Sequence, residues 1–157
     1  MTLNDILSGE RVDVARGKRV QTKDDALRAL SAMLASGGLG PSADEYLQVF
    51  CEREALQSTG IGDGVAIPHG ALEALGGQIA AVLICPDGVP FEAIDDRPVR
   101  ILFAVAGPKR ATGEHLKTLA RVSRLLRDAG FREKLLASAA AADAFDLIRS
   151  AEEGRAA

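Results

Sequence analysis

The apolar positions fall into helical and strand-like patterns, and their order along the chain predicts the architecture. Leu27, Leu30, Met33 and Leu34 recur at three and four residues behind a Thr22/Asp25 capping pair, which predicts a helix released at Ser36-Gly37-Gly38. Ser42 and Glu45 repeat the capping spacing. Tyr46, Val49, Phe50 and Leu56 then form the stripe of a second helix, and Cys51 beside that stripe reads as a packed core thiol. Residues 79–84 and 99–106 are nearly unbroken apolar runs, which predicts two strands buried on both faces. The segment 86–90 turns the chain, and Gly107-Pro108 ends the second strand. Val12 and Val14 around Asp13 mark a short strand, and residues 65–67 mark another.

A third long helix opens at Thr112-Gly113-Glu114-His115. Leu116, Leu119, Val122, Ser123 and Leu126 are read as its inner face, and Gly130 as its C-terminal cap. Shorter helices follow at 131–136 and 139–148, and residues 152–157 are expected to fray. Doubly buried strands need helices on both sides, so the expectation is one α/β domain.

Composition narrows what such a domain does. The chain has 157 residues and a formal net charge of −3, with no long basic stripe, which argues against nucleic acid as a partner. A chain of this length buries roughly two thirds of its extended surface, so its core needs no metal or disulfide. There is no apolar run long enough to span a bilayer and no secretory signal at the start, so the expected address is the cytoplasm, without membrane insertion. Cys51 and Cys85 are therefore read as free thiols.

The least ordinary segment is Ser58-Thr59-Gly60-Ile61-Gly62-Asp63-Gly64-Val65-Ala66-Ile67-Pro68-His69-Gly70, with four glycines in thirteen residues. It matches neither Gly-x-Gly-x-x-Gly nor a Walker A loop, so it does not point to a nucleotide. Ile67 precedes proline and is expected to be extended, which leaves His69 at a strand end behind a glycine-rich turn. That is a place where backbone N–H groups approach an anion and a functional side chain is presented. The other histidine, His115, lies in the first turn of a helix, where the amide groups disfavour a charged ring. Its distance from His69 is not legible in the sequence. His69, His115, Asp63, Cys51 and Cys85 lack a metal-ligand spacing, and no Gly-x-Ser-x-Gly elbow occurs, so neither a metal site nor a hydrolase triad is expected.

Three blocks carry a resemblance. Arg53-Glu54 with residues 58–70, then Val89-Pro90-Phe91-Glu92-Ala93-Ile94-Asp95-Asp96-Arg97-Pro98-Val99, then Glu114-His115-Leu116-Lys117-Thr118-Leu119-Ala120, closely resemble the IIA domain of the bacterial phosphotransferase system in its fructose/mannitol class. The likeness spans residues 3–150, leaving 151–157 as a tail, and among that family's branches it is most like the stand-alone nitrogen-regulatory one. It implies a mixed β-sheet flanked by helices on both faces. It also implies a histidine phosphoryl carrier, and so a phosphotransferase component that works without a cofactor.

By that resemblance His69 takes the phosphoryl group on Nε2 from an HPr-like histidine phosphocarrier. His115 is the second active-site histidine, donating to a phosphoryl oxygen, and Arg53 supplies positive charge. Thr59, Gly60, Gly62 and Gly64 belong to a loop that holds His69 and keeps the approach open. Ala71 departs from the pattern, because relatives often carry a basic residue after Pro-His-Gly. The implied acceptor is a regulatory target protein, with transfer to a IIB domain in sugar transport as the alternative. An unrelated α/β module binding an anion at the glycine loop is a further alternative.

Overall fold

The computed structural model describes residues 2–156. Its centre is the antiparallel pair β5 (Ile79–Val89) and β6 (Val99–Gly107), joined in register from Ile79 opposite Ala106 to Ile84 opposite Ile101. β1 (Val12–Val14) adds to β5 in parallel. On the other side β3 (Val65–Ala66) and β4 (His69–Ala71) both pair with β6 in parallel, and β2 (Gly60–Gly62) pairs antiparallel with β3. The sheet is mixed and six-stranded, in the order β1-β5-β6-β3-β2 with β4 also on β6.

Strand alternation divides the core into two layers. Ala81, Leu83, Leu102 and Ala104 face α1 (Lys23–Ala35) and α2 (Ala43–Leu56), where Leu27, Leu30, Tyr46 and Phe50 are buried. Val82, Ile84, Ile101, Phe103 and Val105 face the other way, toward α3 (Thr112–Arg127), α4 (Ala129–Leu136) and α5 (Ala141–Ala156). Thr22 and Ser42 cap α1 and α2 with complete capping boxes, as their spacing predicts. The single α/β domain with a mixed sheet between two helical layers is the expected fold.

Several local expectations fail for physical reasons. β5 does not stop at Ile84; it runs on to Val89 through a bulge, and Pro86 sits where the ladder is already interrupted, its carbonyl accepting from Arg100 Nε at 2.9 Å. Gly130 is not a cap, because Asp128 caps α4 by accepting from Phe131 N, which places Gly130 inside that helix. Leu56 and Leu116 are 83% and 61% exposed, and Cys51 is exposed rather than packed. Cys85 is the buried thiol, and burial pushes it up to about 11.

The expected fraying from residue 152 is also corrected. α5 continues to Ala156, and Glu152 is fully buried, accepting from Leu3 N at 2.8 Å and from Arg121 Nε at 2.9 Å. Ala157, at the end of the same segment, lies outside the described residues. No helix among them is long and apolar enough to cross a membrane.

Candidate functional site

β3 and β4 lie along one edge of β6 but are interrupted at Ile67-Pro68. Proline brings no N–H to the ladder, and the break frees the Ile67 groups for other partners. Ile67 N–H donates to the Thr59 carbonyl at 3.0 Å. The Ile67 carbonyl lies 2.8 Å from His69 Nδ1. A carbonyl only accepts, so Nδ1 carries the proton. On the opposite side of the ring, Arg53 Nε donates to His69 Nε2 at 3.2 Å. An arginine only donates, so Nε2 must hold a lone pair. Two independent partners thus select the same neutral tautomer. Protonating Nε2 would set its N–H against a guanidinium.

The electrostatics agree. Burial is the main influence holding His69 below its ordinary value, and the Arg53 charge adds to it; the Ile67 bond and the Glu54 charge act in the opposite sense. Arg53 is anchored near the end of α2, where its Nη1 donates to the Gln57 carbonyl at 2.8 Å. Gly70 lets β4 lie close to that helix, since a Cβ there would collide with the Val49 side chain.

His115 enters from the first turn of α3. Its ring centroid is 5.7 Å from that of His69, with the planes 50° apart. Its Nδ1 is buried without a hydrogen-bond partner among the described residues, against Gly107 at the end of β6. The ring is held below its ordinary value, first by burial and then by the neighbouring His69. The direction is the one expected at a helix start, but burial is the larger cause.

The glycine segment is a β-hairpin, not a loop. Asp63 and Gly64, with φ of 57° and 76°, make its two-residue turn, as an Asp-Gly pair between strands favours. The turn is remote from His69: the Gly64 carbonyl bonds Ile101 N, whereas His69 pairs with Val105, four residues or about 13 Å further along β6. Gly62 and Gly64 therefore shape the hairpin's far end, and the structure does not bring them to the ring. Thr59 does reach the ring's surroundings, through Ile67. Gly60 packs against Ala93, its carbonyl accepts from Ile94 N, and Asp63 N donates to Asp95, so the 89–99 block braces the hairpin. Sequence reasoning gave no role to Ile67 or Gln57, whose contributions are backbone carbonyls and leave no side-chain signal. Glu54 was noticed only as the neighbour of Arg53; its carboxylate receives Thr59 N at 2.7 Å and Thr59 Oγ1 at 2.6 Å.

The arrangement presents an imidazole lone pair beside a guanidinium, with a second imidazole across the gap. Comparison with known proteins places the chain among others. The family model described as phosphoenolpyruvate-dependent sugar phosphotransferase system, EIIA 2, matches residues 6–151. A nitrogen regulatory protein of Bradyrhizobium diazoefficiens is 36% identical over 138 residues, covering 88% of each chain. A PTS system fructose-specific EIIA component of Haloferax volcanii is 34% identical over 115 residues, covering 73% of this chain and 75% of its own. The solved structure of nitrogen regulatory protein IIA-Ntr from Neisseria meningitidis superposes with a TM-score of 0.85 at 28% identity, covering 93% of this chain and 98% of that one. The chain belongs to the EIIA 2 family of the phosphoenolpyruvate-dependent sugar phosphotransferase system.

Proposed function

We propose that this protein is a histidine phosphoryl carrier that accepts the group on His69 Nε2 from an HPr-like phosphocarrier in the cytoplasm, with α5 through Glu152 acting as part of the same unit as residues 3–150. The observation that carries this reading is the fixed tautomer. With Nδ1–H held by Ile67 and a lone pair at Nε2, the ring attacks without a separate base.

In the transfer, the donor's phosphorus–nitrogen bond breaks and its imidazole leaves with the bonding pair. The His69 Nε2 lone pair forms the new bond to phosphorus. The proton on Nδ1 stays, and the Ile67 carbonyl stabilises the positive charge the ring acquires. Arg53 covers Nε2 at rest, so it moves off the lone pair as phosphorus approaches and then meets the phosphoryl oxygens. Among the described residues His115 has no acceptor for a proton on its buried Nδ1, so its neutral ring carries the proton at Nε2 and donates to a phosphoryl oxygen. The product remains reactive, as a carrier needs.

The added charge, about −1.5 to −2, changes the surface shown to a partner. The nitrogen regulatory relatives favour a regulatory target as that partner. The fructose-specific relative supports a second reading, onward transfer to a IIB domain. Incubation with phosphorylated carrier followed by mapping of the acid-labile phosphate tests the assignment. Label on His69 and none in His69→Ala is expected; undiminished histidine labelling of that variant would overturn it.

A further inference from the structure

Arg53 and Glu54 are adjacent near the end of α2, and between them they reach both nitrogens of one imidazole. Arg53 bonds Nε2 directly. Glu54 reaches Nδ1 through two backbone steps, and nothing in the transfer described above uses it. Its side chain is only 6% exposed, yet it is a carboxylate, so its burial requires partners. It has them: Thr59 N at 2.7 Å, Thr59 Oγ1 at 2.6 Å and Lys23 Nζ at 3.5 Å. Lys23 also lies over the Phe91 ring, 4.7 Å from its centroid, so the counter-charge is itself seated.

We propose that Glu54 is a positioning residue that sets the tautomer and orientation of His69 through Thr59 and Ile67. Held at both N and Oγ1, Thr59 presents its carbonyl in a fixed direction. That carbonyl receives Ile67 N–H at 3.0 Å. Ile67 precedes proline and is confined to extended backbone, so fixing its N–H also aims its carbonyl. The Ile67 carbonyl receives His69 Nδ1–H at 2.8 Å. Thr59 is itself 3% exposed, which shields the first links from competing water. The charged groups facing the ring are Arg53 and Glu54 from α2, with the titratable His115 from α3. The negative charge of Glu54 opposes that of Arg53, so the lone pair stays basic enough to attack.

The consequence for transfer rests on His69 being the phosphoryl acceptor; the consequence for the tautomer does not. The test is two-bond proton–nitrogen correlation of the His69 ring in full-length, unphosphorylated wild type, Glu54→Ala and Glu54→Gln, with thermal melts and rates of uptake from phosphorylated carrier. Wild type should show proton on Nδ1 alone. Glu54→Ala should add a minor population protonated at Nε2, kept small by Arg53, and reduce the uptake rate roughly ten- to a hundredfold. Glu54→Gln keeps one acceptor oxygen, so it should retain more of the wild-type tautomer and rate while the His69 titration midpoint moves down. If Glu54→Ala does not fold, Glu54→Gln decides through that midpoint and the tautomer. A variant that lowers the melting temperature while the His69 tautomer and midpoint stay as in wild type would overturn the proposal. A wild-type protein with the expected tautomer that accepts no phosphate would instead sink the carrier reading.

Discussion

The two histidines sit 5.7 Å apart, both partly buried, and the fold treats them oppositely. His69 has a partner at each nitrogen, one that demands a proton and one that demands a lone pair. His115 has a buried Nδ1 with no hydrogen-bond partner among the described residues. On the proposed reading the first ring serves as the nucleophile and the second as a hydrogen-bond donor. Burial lowers both, so burial alone does not assign the roles. The hydrogen-bond partners do.

Exchanging which ring is lost is the largest perturbation of this contrast. Rapid mixing with phosphorylated carrier should show no uptake in His69→Ala. In His115→Ala it should show reduced uptake and a greater loss in onward transfer. Equal and complete loss in both variants would contradict the division of roles. Arg53→Ala comes next. It should slow uptake by about a hundredfold, as loss of a charge-stabilising donor does, while raising the His69 titration midpoint, because the Arg53 charge lowers it. A midpoint that falls would mean the guanidinium does not face the ring in solution.

A smaller effect appears in stability. The unfolded chain binds protons to its imidazoles near pH 6.5 or about there, whereas the folded rings resist charging. As pH falls through that value the unfolded state holds more protons, so stability declines until the folded rings are protonated too; above it the histidine contribution is flat. Urea unfolding at pH 7.5 and 5.5 or so should show a smaller decline in His115→Ala than in wild type. An equal decline would remove His115 from the account. The smallest effect on transfer should come from the other buried glutamate. Glu152→Ala breaks the seam to Arg121 and Leu3 and should cost roughly 2–4 kcal/mol, the low side reflecting the water still reaching Arg121, with phosphoryl uptake near wild type.

The sequence was readable where the signal is local and misleading where it is not. Thr22 and Ser42 capped their helices because the capping box is a four-residue motif. Most of the expected inner face of α3 is there, with Val122 and Leu126 buried and Leu119 packed against the same layer, but Leu116 is exposed and Thr118 and Leu125 take its place. The buried threonine, bonded to the Glu114 carbonyl at 3.1 Å, disguised that stripe and made Leu116 look internal. Asp63-Gly64 carried a hairpin signal that the density of glycines around it obscured. Glu152 lies in a polar stretch that looks solvated, and its partners come from α3 and the start of the chain.

The candidate site divides the same way. His69, His115 and Arg53 were legible as residue types within matching blocks. The carbonyl of Ile67 and the clamp on Thr59 were not, because backbone groups have no letter in a sequence. Nor could spacing show that residues 53, 69 and 115 meet.

The nitrogen that receives the phosphoryl group decides between a prepared nucleophile at His69 and any other arrangement. Two-bond proton–nitrogen correlation on the phosphorylated protein reads this directly. It should show phosphorus on Nε2 of His69, with the proton still on Nδ1 and the His115 ring unmodified. Phosphorus on Nδ1 of His69, or on His115, would contradict the proposed transfer.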